Sequence, residues 1–148
     1  MNRPRSANLS QTGQPISIRL SRATDQLVTA EARRTRRSRS AVVQAFTEET
    51  ARSRRFPGIG FRGDDAGRRA WVIGSGLDVW EIAQMLEDFG SVEALLRESG
   101  LTERQARIAA AYREAFPDEV DEAVEDNRRP ADELASLYPF VDLQRGSR

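Results

Sequence analysis

The chain has 148 residues, 39% hydrophobic and 31% charged, which suits one ordinary domain or two small ones. Cysteine and histidine are both absent, which excludes disulfides, cysteine nucleophiles, histidine bases and the usual zinc ligands. The net charge of zero conceals a division: residues 1–55 hold 12 arginines against 4 acids (+8), and residues 56–148 hold 11 against 19 (−8). Opposed halves suggest a basic module for nucleic acid and an acidic module for something else. Only carboxylates, hydroxyls and arginines remain for chemistry, so no catalytic residue, metal site or cofactor is expected. No apolar run approaches the length of a membrane span, and the first residues lack the apolar core of a signal peptide. A cytoplasmic protein without a membrane partner is therefore expected.

Residues 1–14 are polar and read as a disordered arm. From Pro15 the pattern changes: Ile16, Ile18 and Leu20 alternate with Ser17 and Arg19, the period of a strand with one buried face. Ser21 is placed to cap a helix from Arg22 to about Arg34. An arginine-rich break containing Arg33, Arg34, Arg36 and Arg37 leads to Ser38 or Ser40, either of which could cap a second helix reaching Arg54. The strand has no partner near it in the chain, and a lone strand leaves its backbone groups unsatisfied. A second copy of the protein is the expected partner, as a homodimer.

Two such strands pairing antiparallel form a ribbon that displays Ser17 and Arg19, a shape and chemistry suited to the DNA major groove. On the strand alone, the wet face of an edge strand is the better account of these two side chains. The start of the second helix adds to the groove reading. Ser38, Arg39 and Ser40 would gather free amides, hydroxyls, a guanidinium and the positive end of the helix dipole, a good phosphate site. The neighbouring Arg36 and Arg37 would strengthen its field.

Residues 15–55, through ISIRLS and RRSRSAVVQAF, resemble a ribbon–helix–helix DNA-binding domain of the CopG, Arc and MetJ type. The resemblance implies base contacts by Ser17 and Arg19, and phosphate contacts by Ser38, Arg39 and Ser40. Where many members of that family have glycine between the helices, this chain has Arg36, which would enter the left-handed region only with strain.

After Phe56 the composition changes. Gly58 to Gly63 spells GxGxxG, but it follows a helix end rather than a strand, so a dinucleotide site is rejected. A hairpin is expected instead, Ile59 to Arg62 pairing with Arg69 to Ile73. Asp78 with Glu81, Gly90, Ser91, Gly100 and the Thr102–Gln105 capping box punctuate three further helices, the last running to about Phe116. Helix, short helix, glycine turn and helix outline a helix-turn-helix, and the hairpin would make it winged. Arg104, Gln105 and Arg107 then stand as a second candidate DNA site, against the negative charge of this half. Asp118 to Asp126 read as a solvated acidic helix face with Val120 and Ala123 beneath it.

Residues 56–129 also resemble a domain of unknown function attached to VapB-type antitoxins, through FPGIGFRG, GSGLDVWEI, LTERQARIAAAY and FPDEVDEAVEDN. That resemblance implies a winged-helix-like unit, commonly encoded beside a nuclease-like toxin with a PIN-type fold. The remaining tail, residues 130–148, is too apolar for an idle terminus. Leu137, Tyr138, Phe140, Val141 and Leu143 suit a groove, either the chain's own or a partner's. In antitoxins such a tail wraps the toxin, and Arg145 is the candidate to enter its carboxylate cluster. The expected fold class is mainly α with a small β component: an intertwined dimeric ribbon–helix–helix, then a hairpin-preceded trihelical helix-turn-helix domain. The expected function is a type II antitoxin and DNA-binding autorepressor. A regulator with two DNA-binding modules and no toxin is the alternative.

Overall fold

The computed structural model describes residues 13–64 and 67–129. Among them the chain is mainly helical with one small antiparallel sheet. The elements run α1 (Arg22–Thr35), α2 (Arg39–Arg55), β1 (Ile59–Arg62), β2 (Arg69–Val72), α3 (Val79–Phe89), α4 (Val92–Glu98), α5 (Glu103–Ala115) and α6 (Pro117–Arg128). The strands pair in the register Ile59 to Val72 through Arg62 to Arg69.

Helix boundaries follow local chemistry. Ser21 and Ser38 cap α1 and α2 by accepting from the amides of Thr24 and Ala41; of the two serines open for α2, Ser38 is the cap. Asp78 with Glu81 and Thr102 with Gln105 close reciprocal capping boxes on α3 and α5. Gly90, at φ 75°, ends α3 in the left-handed region.

Two apolar clusters form. The larger unites the hairpin with α3 to α6 through Ile59, Val72, Ile82, Leu95, Tyr112, Val120 and others, and Phe56 at the end of α2 joins it. The helix α6 packs as a fourth member on the expected trihelical core, burying Val120 and Val124 rather than Ala123. Arg128 ties it to Glu87 and Asp88 of α3 at 2.8 and 3.0 Å. Gly60 is required by close approach: a Cβ there would stand 2.9 Å from the Trp71 indole nitrogen.

Asp78 is the one buried charged residue among those described, 3% exposed. Its carboxylate accepts from Arg62 at 2.7 Å, Arg69 at 2.8 Å and the Trp80 indole N–H at 3.3 Å. It therefore pins both hairpin strands to the start of α3. A buried carboxylate is tolerable here because every partner is a hydrogen-bond donor.

The smaller cluster is only Val28, Ala32 and Val42, with Leu20 and Val43 against it. Two valines and an alanine bury too little apolar surface to offset the entropy of ordering α1 and most of α2.

Candidate nucleic-acid interface

The segment ahead of α1 has no assigned secondary structure and makes no ladder with any described residue. Leu20 turns inward onto Val28 and Val42, whereas Ile16 and Ile18 lie 81% and 55% exposed. Of six exposed large apolar side chains among the described residues, four fall between residues 16 and 46: Ile16, Ile18, Leu27 and Phe46. Ser17 and Arg19 alternate with the isoleucines and are also exposed.

The connection between α1 and α2 is a tight turn centred on Arg36, at φ 54° and ψ 36°. The Arg37 N–H donates to the Ala32 carbonyl at 3.0 Å and the Arg36 N–H to Arg33 at 3.4 Å, the paired bonds of a Schellman turn. A non-glycine residue there carries the expected left-handed strain, and its guanidinium side chain is left in solvent. The turn delivers Ser38 directly to the start of α2. Its side-chain oxygen takes the Ala41 amide at 3.1 Å. The amides of Arg39 and Ser40, in the first turn of α2, have no acceptor within the helix.

The basic side chains around this point differ in freedom. Arg39 bridges to Asp25 of α1; both side chains are about half exposed, so the pair holds weakly against a competing anion. Arg37 is half-buried, donating to the Ala41 carbonyl at 3.4 Å. Arg34 is fixed by Glu31 and by the Asp64 carbonyl at 2.8 Å. The hydrogen bond that Arg34 donates to Glu31 holds the Glu31 carboxyl below its ordinary value. Arg36 and Ser40 are exposed beside the Ser38 cap. Thus Arg36, Ser38, Arg39 and Ser40 come together at one corner, and Ser17 and Arg19 stand on the segment leading into the same two-helix unit.

The far end of α2 is bound into the larger body. Arg52 donates to the Tyr112 hydroxyl at 2.9 Å and to Glu119 at 2.7 Å, with its guanidinium carbon 4.1 Å from the centre of the Phe116 ring. The Tyr112 hydroxyl donates in turn to Glu119 at 3.0 Å. Burial alone would lower the Arg52 value; the Tyr112 oxygen and the Glu119 carboxylate outweigh it and raise it. Burial and then the Glu119 charge push the Tyr112 phenol far above its ordinary range. Arg68 adds a second tie, to Glu49 at 2.7 Å. Sequence reasoning missed these contacts, which join residues up to 67 apart.

The second candidate site is differently equipped. The Gln105 side-chain oxygen accepts from the Thr102 amide at 2.9 Å, and Arg107 is held by Glu103 at 2.7 Å. Both side chains therefore serve α5 itself, and Arg104 is left exposed next to the acidic Glu103. Leu137, Tyr138, Phe140, Val141, Leu143 and Arg145 lie outside the described residues. No cluster of acidic side chains among the described residues could hold a metal ion, and no described helix is long and apolar enough to cross a membrane. Comparison with protein-family models, curated proteins and solved structures gave no match.

Proposed function

We propose that the protein is a homodimeric DNA-binding autorepressor and type II antitoxin, whose tail neutralises a nuclease-like toxin of PIN type. The observation that carries the DNA half is the segment before α1: without a ladder partner among the described residues, with Ile16 and Ile18 in solvent beside a two-helix unit of very small core. A second copy pairing with it would satisfy the backbone, cover the isoleucines and present two sets of Ser17 and Arg19 to a major groove. Ser38, Ser40, Arg36 and Arg39 would then clamp the flanking phosphates, with Arg37 adding to the field.

The alternative, a regulator with a second DNA-binding module on α5, is disfavoured by the internal use of Gln105 and Arg107. The acidic second half and the apolar tail fit a protein partner better than a second stretch of DNA.

The reading is tested with a duplex from upstream of the protein's own coding sequence and with the product of the adjacent gene. Arg19→Ala should relax sequence preference, whereas Ser38→Ala should weaken binding to all sequences alike. Unchanged binding in both variants would remove the DNA half. A chain ending at Arg129 should neither copurify with nor inhibit the adjacent product, and retained inhibition would remove the tail from the antitoxin role.

A further inference from the structure

Between β2 and α6 runs a groove of about 480 Å³, lined by Arg62, Arg69, Trp80, Ala123, Asp126 and Asn127 among others. It continues past Arg69, Trp80 and Ala123 into a narrower cleft floored by Val79 and Val120. The Trp80 indole N–H is already spent on Asp78, so Trp80 offers the groove its apolar ring. Arg69 uses only its Nε on Asp78, and 61% of its side chain is exposed; its terminal nitrogens find no acceptor among the described residues. The groove therefore has an apolar floor and, among the carboxylates of Glu81 and Asp126 that also line it, one underused cation, Arg69.

We infer that this groove is the docking site for the chain's own residues 131–143. Three observations select that occupant. The groove opens at Asp126 and Asn127, in the last turn of α6, and Arg129 leaves the helix in an extended conformation. A proline at position 130 disfavours helical continuation, and Arg129 lies two residues beyond the lining residue Asn127. The stretch from Glu119 to Asn127 along α6 measures roughly 12 Å, which four extended or eight helical residues span. The first residues to arrive are Asp132 and Glu133, matching the open Arg69, and Leu134, Leu137 and Tyr138 follow at the spacing of one helical face.

The inference holds whether or not a toxin exists. If one does, the docked tail is its stored form, and toxin binding must draw residues 137–143 out of the groove.

The chain lacks cysteine, so paired cysteines report proximity cleanly. Ala123→Cys in the groove is combined in turn with Ala135→Cys, Ser136→Cys and Pro139→Cys, in the full chain under mild oxidation. At least one pair should close within a single chain, seen as a monomer of altered mobility. Asp132→Arg with Glu133→Arg should lower that yield several-fold, and Ala110→Cys on α5 should not close with the same tail positions. In a Trp71→Phe background, removing residues 130–148 should at least double acrylamide quenching of Trp80. Crosslinks only between chains would assign the groove to another copy's tail. Crosslinking no better than at Ala110, or quenching unchanged by truncation, would leave the groove to a different protein; each of these results overturns the inference.

Discussion

The Arg52 guanidinium on α2 donates to the Tyr112 hydroxyl on α5 at 2.9 Å, across 60 residues of sequence. The bond sits where the basic two-helix unit meets the acidic body, and Glu119 and Phe116 complete the contact. Because Phe56 also enters the larger core, α2 acts as a strut and not as a tethered module. Whatever binds the body is thereby mechanically joined to the helix that carries Ser38.

Arg52→Ala should therefore destabilise the protein by about 2 kcal/mol, combining charge-assisted hydrogen bonds with the lost stacking on Phe116. Tyr112→Phe should cost about 1 kcal/mol. The double variant should lose less than the sum, because the two share Glu119. Urea unfolding of the four proteins checks this, and additive losses would mean that the contact is not a unit.

Asp78→Ala should cost about 3 kcal/mol, since it strips two guanidiniums and an indole N–H of their shared acceptor and removes the α3 cap. Loss of near-ultraviolet ellipticity from Trp71 and Trp80 should accompany it. A loss below about 1 kcal/mol would place the stability of the hairpin elsewhere.

Arg36→Gly separates folding from binding. Relief of the left-handed conformation should stabilise the chain by up to about 1 kcal/mol. Loss of the guanidinium should weaken DNA binding and lower the salt slope by about one phosphate contact per subunit. Thermal melts and salt-dependent anisotropy titrations read the two effects independently.

Glu87 accepts a hydrogen bond from Arg113 and ion-pairs with Arg128, and the bond from Arg113 holds its carboxyl below the ordinary 4.5. A carboxyl depressed on folding contributes stability above its unfolded value, and loses that contribution as pH falls through the folded one. Glu87→Gln should thus be less stable by about 0.5–1 kcal/mol at pH 7, a partly exposed pair. The difference should shrink below pH 4.5 and disappear at lower pH. A difference independent of pH would assign the effect to packing.

Much of the fold was legible because its signals are local. Ser21, the Asp78–Glu81 pair, Gly90 and the Thr102–Gln105 box each act within four residues, and the helices begin or end where they indicate. The hairpin was legible to within one residue, β2 ending at Val72 instead of Ile73. What escaped was non-local: the Arg52–Tyr112–Glu119 contact, and Arg62 and Arg69 converging on Asp78. The Asp78 cap could be read from its spacing to Glu81, but no spacing announces two arginines from another element. The candidate site was half legible. Ser38 could be placed at a helix start and Gln105 in its capping box, whereas the engagement of Arg107 by Glu103 depends on side-chain geometry that sequence does not carry.

The central claim is that residues 15–20 complete their pairing with a second copy of the chain, and sedimentation equilibrium tests it most directly. The full-length protein should be a dimer at micromolar concentration. Ile18→Glu, made on an exposed side chain away from the larger core, should raise the dimer dissociation constant by roughly 100-fold or more, as two apolar contacts are lost per dimer. The monomer should keep its far-ultraviolet helical signal. A wild-type monomer, or a dimer indifferent to Ile18→Glu, would contradict the account.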